Sequence, residues 1–132
     1  MAGIEEALYS LVIGNSSVAA LISTRFTPLE IPQKAALPAA CYQVITTSRV
    51  YDHEGPDGFA SPRIQITMTG KTYKEAKDVA RAIRTAINGY RGVKSGVTVF
   101  GIFLENEYDG SSNLETGFAT VRQDYRINWS EK

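Results

Sequence analysis

The sequence predicts an α+β fold, a mostly antiparallel sheet of four to five strands with helices packed on one face. Three observations predict it. Apolar residues recur at helical spacing near the start and again in the middle of the chain, while four other segments carry the β-branched, aromatic or alternating pattern of strands. The strands come in pairs instead of alternating with helices, which disfavours a parallel sheet. No period repeats along the chain, so a solenoid or propeller is excluded.

Taken in order, Ile4, Ala7, Leu8, Leu11 and Val12 form the first apolar stripe, behind Glu5 and Glu6, whose charge suits the positive end of a helix dipole. Gly14 offers a left-handed stop. Asn15-Ser16-Ser17 caps a short second helix over Val18 to Ile22. From Arg25 to Ala40 the chain carries Pro28, Pro32 and Pro38, which fits an extended connector with at most one short edge strand. Cys41 to Tyr51 is β-branched and aromatic and reads as a strand. Asp52 to Gly58 has the composition of an exposed turn or mobile loop.

Arg63 to Thr69 alternates polar with apolar residues, as a strand with one wet and one buried face does. Gly70-Lys71 then turns into a helix. Thr72 and Glu75 have capping-box spacing, in which the hydroxyl accepts from the Glu75 amide and the carboxylate reaches back to the Thr72 amide. Ala76, Val79, Ala80, Ile83 and Ile87 make its apolar stripe, and Asn88-Gly89 closes it. Val97 to Tyr108 and Gly117 to Trp129 are two further strands. Turn residues Asp109 to Asn113 join them into an antiparallel hairpin.

At 132 residues the chain fits a single domain over residues 1–132, large enough for one core without staples. One cysteine, Cys41, makes neither an internal disulfide nor a cysteine-based zinc site. The acidic start lacks the positive region of a signal peptide. The apolar run from Val99 to Leu104 falls far short of the ~20 residues that span a bilayer. Fourteen Lys plus Arg balance fourteen Asp plus Glu. That neutrality argues against a general nucleic-acid binder or a basic membrane-surface protein.

Motifs of catalysis are weak. Gly70-Lys71-Thr72 sits where a phosphate loop would end, but Gln65 occupies the position of the first glycine that loop needs. His53 is the sole histidine, too few for a catalytic zinc site, and the acids around it lack the ligand pattern of a calcium loop. There is no G-x-S-x-G elbow. Glu105 and Glu107 share a strand face, which a solvent-facing strand end also explains. The reading is therefore of a chain with no catalytic residue, metal site or cofactor.

Charge distribution says more than the total. Residues 71–94 carry an excess of five positive charges, residues 95–121 four negative ones and residues 51–60 three more. Lys74, Lys77, Arg81 and Arg84 lie opposite the apolar stripe of their helix. Asp52, Glu54, Asp57, Glu105, Glu107 and Asp109 supply the acids. A solvated helix face accounts for the bases; a contact between neighbouring copies, basic face to acidic face, accounts for both.

The layout as a whole resembles a known family. LPAACYQVI follows a proline-spaced lead, PRIQITMTGKTYKEAKDVARAIRTAINGY follows a Gly-Pro segment, and ENEYDGSSNLETGFATVRQDYRINW closes the chain. Over about Ile4 to Trp129 this resembles the tail completion or tail terminator family of long-tailed bacteriophages and prophages. The resemblance implies a structural virion protein without enzymatic activity or cofactor. Such a protein caps the head-proximal end of the tail tube as a ring, typically a hexamer, stops tube polymerisation and offers a head-joining surface. Implied partners are further copies of itself, the major tail tube protein and a head–tail connector or neck protein, with assembly in the host cytoplasm and neither membrane nor specific nucleic acid involved. A neck or head-closure adaptor is the alternative. A small ligand-binding or hydrolytic domain using His53 and the Asp52–Asp57 loop is the other.

Overall fold

The structure is a computed structural model that describes residues 3–32, 34, 36–46, 49–52, 55–110 and 118–130, without the side chains of 46, 49–52 and 55–59. The elements run α1 Ile4–Ile13, α2 Ser16–Ile22, β1 Phe26–Pro28, β2 Ala39–Thr46, β3 Arg49–Asp52, β4 Gly55–Ala60, β5 Arg63–Gly70, α3 Tyr73–Ile87, β6 Gly92–Lys94, β7 Val97–Asp109 and β8 Ala119–Ser130. The α+β class stands as expected. The strand count does not: eight strands form one sheet, and the β1–β2 pair is parallel.

β8 is the spine of that sheet. β5 pairs along one side of it from Arg63↔Arg126 to Gly70↔Ala119, and β4 continues the same ladder with Ala60↔Trp129 and Phe59↔Ser130. The Ile127 amide donates to the Pro62 carbonyl across the short break, so the register carries straight through. β2 flanks β5 and β3 flanks β4, both antiparallel. β7 lies on the other side of β8 and β6 beyond it. The eight strands thus occupy six positions across the sheet.

The expected loop over Asp52 to Gly58 is instead mostly strand. β3 and β4 form a two-stranded arm whose last pair is Asp52↔Gly55, and β3 pairs with nothing but β4 among the described residues. Gly55, Pro56 and Gly58 masked it. Proline is confined to edge positions in sheets, and a two-stranded arm has two open edges. The strand expected over Cys41 to Tyr51 is likewise divided, between β2 and β3.

β6 escaped the sequence reading because it has only three residues. Ser95 (φ 52°) and Gly96 (φ 81°) make the left-handed pair of a two-residue hairpin turn that joins it to β7. Two register shifts interrupt β7, at Phe100 and at Glu105, which is why its burial fails to alternate cleanly.

The core lies between the inner sheet face and the helices. Ile64, Ile66 and Met68 of β5 and Val121, Tyr125 and Ile127 of β8 meet Ala76, Val79, Ala80, Ile83 and Ile87 of α3, all at most 1% exposed. Each such aliphatic side chain contributes roughly 1.5–3 kcal/mol by leaving water. α1 and α2 pack against α3, and α1 also touches both β1 and β6, so it bridges two edges of the curled sheet. Gly14, expected as a left-handed stop, is right-handed (φ −75°). Its role is close approach, since a Cβ there would lie 2.5 Å from the Ser10 carbonyl oxygen.

Candidate assembly surfaces

α3 begins as its cap predicts, with the Glu75 amide donating to Thr72 Oγ1 at 3.1 Å. The reciprocal bond differs from expectation. Glu75 Oε1 accepts from the Lys71 amide at 2.9 Å, one residue before the Thr72 amide. Gly70 makes this junction tight, because a Cβ there would lie 2.6 Å from the Ala76 nitrogen.

From that start the basic residues fan outward, and the fold brings most of them to acids of the same chain. Lys74 pairs with Asp78 at 3.0 Å along the helix. Lys77 reaches Asp109 at 3.1 Å, and its Nζ sits 5.4 Å from the centre of the Tyr73 ring. The Tyr73 hydroxyl donates to the same carboxylate at 3.1 Å. The Asp109 hydrogen bond, seconded by Tyr73, holds the Lys77 ammonium above its ordinary pKa. Arg84 lies 3.4 Å from Glu107. The positive helix and negative strand found in the sequence therefore neutralise each other in large part within one copy. Arg81 is different: it is exposed at mid-helix and makes no ion pair among the described residues.

Glu105 occupies the second bulge of β7 and faces the helix-free side. Arg63 (3.3 Å) and Arg126 (3.2 Å) both bond it, which ties β5, β7 and β8 together. Burial alone would raise the Glu105 carboxyl, but Arg126 and then Arg63 outweigh it and leave the group below the usual carboxylate range. Asp52 and Asp57 stand on the arm strands, with side chains outside the described set; His53 and Glu54 lie outside the described residues altogether.

A polar chain beneath Arg84 was missed. Gln123 is fully buried and donates to the Ala80 carbonyl (2.9 Å) and to Glu107 (2.6 Å), while its oxygen accepts from Tyr125 (2.8 Å). Burial, aided by Glu107, pushes the Tyr125 hydroxyl far above the ordinary phenol range. The signal was available: Gln123 stands in the apolar phase of Val121, Tyr125 and Ile127. Near it, a notch of about 290 Å³ is lined by Lys77, Ala80, Arg81, Arg84 and Glu107.

Two other concavities complete the surface relevant here. A groove of about 420 Å³ runs beside Ile31, Pro32, Leu37 and Phe118; its described titratable groups, Lys34 and Lys71, are both cations and form no acid–base pair. A notch of about 300 Å³ is lined by Glu5, Glu6, Tyr9, Ser10, Tyr42 and Ser95. Sequence reading placed Glu5 and Glu6 only as partners of a helix dipole.

Comparison with known proteins fits this architecture. One chain of a solved structure described as "Virion of native gene transfer agent (GTA) particle" superposes with a TM-score of 0.77 at 17% identity, over 94% of this chain and 92% of that one. At that identity the likeness establishes a shared fold. None of the curated proteins matches. The sequence family described as Tail completion protein gp17 matches residues 6–128, nearly the whole length of the fold described above, and the chain belongs to that family, as a structural protein of the phage tail.

Proposed function

We propose that the protein caps the head-proximal end of the tail tube as a ring, probed by no substrate and requiring no cofactor, where it ends tube polymerisation and presents the surface to which the head is joined. Family membership over residues 6–128 carries this reading. The geometry that supports it is the β3–β4 arm. A lone two-stranded ribbon is marginal in water, so an arm paired only with itself beyond Phe59 suits an element that docks on neighbouring subunits or on the tube. Its partners on this reading are further copies, the major tail tube protein and a neck protein.

The test is removal of the gene followed by electron microscopy of the particles. Tails of irregular, extended length that fail to join heads are expected. Tails of normal length, fully joined, would refute the reading. A neck adaptor is the second reading, favoured by the same exposed arm. Labelling of tails from a headless mutant separates the two, because a terminator is present on such tails and an adaptor is not.

A further inference from the structure

The notch at the start of α1 is built to accept a cation. Glu5 and Glu6 are exposed carboxylates with no ion pair among the described residues. Beside them Tyr9, Ser10, Tyr42 and Ser95 contribute hydroxyls. Tyr42 is only 8% exposed, its ring leans on Phe26 at 4.9 Å, and its hydroxyl lines the notch without a hydrogen-bond partner among the described residues. Burial, followed by the nearby Glu5 and Tyr9, pushes that hydroxyl up. A polar group so nearly buried yet left unpartnered points to a missing donor.

Within the same chain no cation fills the site. Lys74, Lys77 and Arg84 are committed to Asp78, Asp109 and Glu107. Arg81 is exposed and uncommitted, but it shares a separate notch with Asn15, just past the far end of α1. Ten helical residues span about 15 Å, so Arg81 and the Glu5 end of α1 cannot meet in one copy.

Resting on the ring reading above, we infer that the Glu5–Tyr42 notch of one copy receives the guanidinium of Arg81 from the next. Arginine suits it because a planar guanidinium bonds carboxylates in a fork and stacks on aromatic rings. The two patches are different surfaces, so the contact is heterologous and generates a ring when its rotation closes. It also replaces the simpler idea that the basic helix meets the β7 acids of a neighbour, since those acids are already paired within the chain.

Sedimentation velocity of the purified full chain at low salt tests this. The wild type is expected to form a closed oligomer that added salt weakens. Arg81→Glu alone, and Glu5→Lys with Glu6→Lys, are each expected to sediment as monomers with unchanged circular dichroism. Mixed in equal amounts they are expected to assemble, because each offers the charge the other lacks. Should either charge reversal unfold the chain, Arg81→Gln and Tyr42→Phe serve instead, and each is expected to weaken association. A wild type that stays monomeric at millimolar concentration, reversed variants that assemble normally, or a mixture that stays monomeric would each overturn the contact. Tail length in cells reads the other question: monomeric variants that still give normal tails would sink tube termination and leave the contact standing.

Discussion

Gln123 and Glu107 meet at 2.6 Å beneath the basic face of α3, one side chain fully buried and the other reaching the surface. Both N–H groups of the Gln123 amide are used, one on Glu107 and one on the Ala80 carbonyl, and its oxygen accepts from Tyr125. The amide therefore joins helix, central strand and neighbouring strand at a single point. Sheet residues that only packed against α3 would allow it to slide; this bond set fixes its position.

Removing the amide is expected to be costly. Gln123→Ala leaves a cavity and strips partners from the Tyr125 hydroxyl and Glu107, for an expected loss of about 2–4 kcal/mol. Urea unfolding at neutral pH measures it. Gln123→Leu keeps the volume but leaves the hydroxyl unpaired, so combining it with Tyr125→Phe is expected to recover part of the loss. A double variant no better than the sum of the two single ones would mean that the hydroxyl does not depend on Gln123.

Acid should uncouple Glu105 from its arginines. Its folded-state pKa lies below the ordinary value, so its charge contributes stability above the unfolded pKa, and that contribution is lost as pH falls through the folded one. The wild type is expected to exceed Glu105→Gln in stability at neutral pH, by a modest amount since the group is partly exposed. The gap should close in strongly acid solution. A gap that stays constant through the carboxylate range would show that Arg63 and Arg126 do not act through the charge.

How far the sequence reveals this molecule depends on the range of the interactions involved. The α3 stripe and its cap, the β5 alternation and the β7–β8 hairpin were legible because each is a local pattern of period or turn chemistry. The arm was not, because Gly55-Pro56-Asp57-Gly58 has loop composition and its strand identity comes from pairing with residues 49–52. The four basic helix residues were read correctly as exposed or partly exposed. Their pairing with Asp109 and Glu107 was not, because it depends on the angle at which α3 crosses β7, and no local pattern encodes that angle. The notch joining α1 to β2 and the β6–β7 turn brings together three distant segments and left only Glu5 and Glu6 visible.

Two glycines are expected to respond differently to the same substitution. Gly70→Ala drives a methyl to 2.6 Å from the Ala76 backbone nitrogen and 2.9 Å from Glu75 Cβ, both fixed by the helix start, so a loss of about 1–3 kcal/mol is expected. At Gly101 the obstacle is the Phe103 ring, 2.5 Å away but half exposed. That ring can rotate outward, and Gly101→Ala should cost less. Thermal unfolding of the two variants decides it; equal losses would mean that the Phe103 ring is as firmly held as the helix start.

The arm separates folding from assembly. Its strands β3 and β4 lie beyond the core, which is made by β5, β8 and α3, and only Phe59 and Ala60 of the arm pair with β8. Replacing residues 50–58 with a short turn therefore removes the ribbon while leaving Ala60, the β2–β5 ladder and the buried aliphatic cluster in place. The shortened chain is expected to keep its helical and sheet signal by circular dichroism and to unfold cooperatively within a few degrees of the parent. If the arm docks on neighbouring subunits or on the tube, the same chain supplied in trans should fail to restore tail length in a deletion strain. A shortened chain that folds and fully restores tails would remove the arm from the assembly mechanism, and one that fails to fold would show instead that the ribbon stabilises the end of β8 at Trp129 and Ser130.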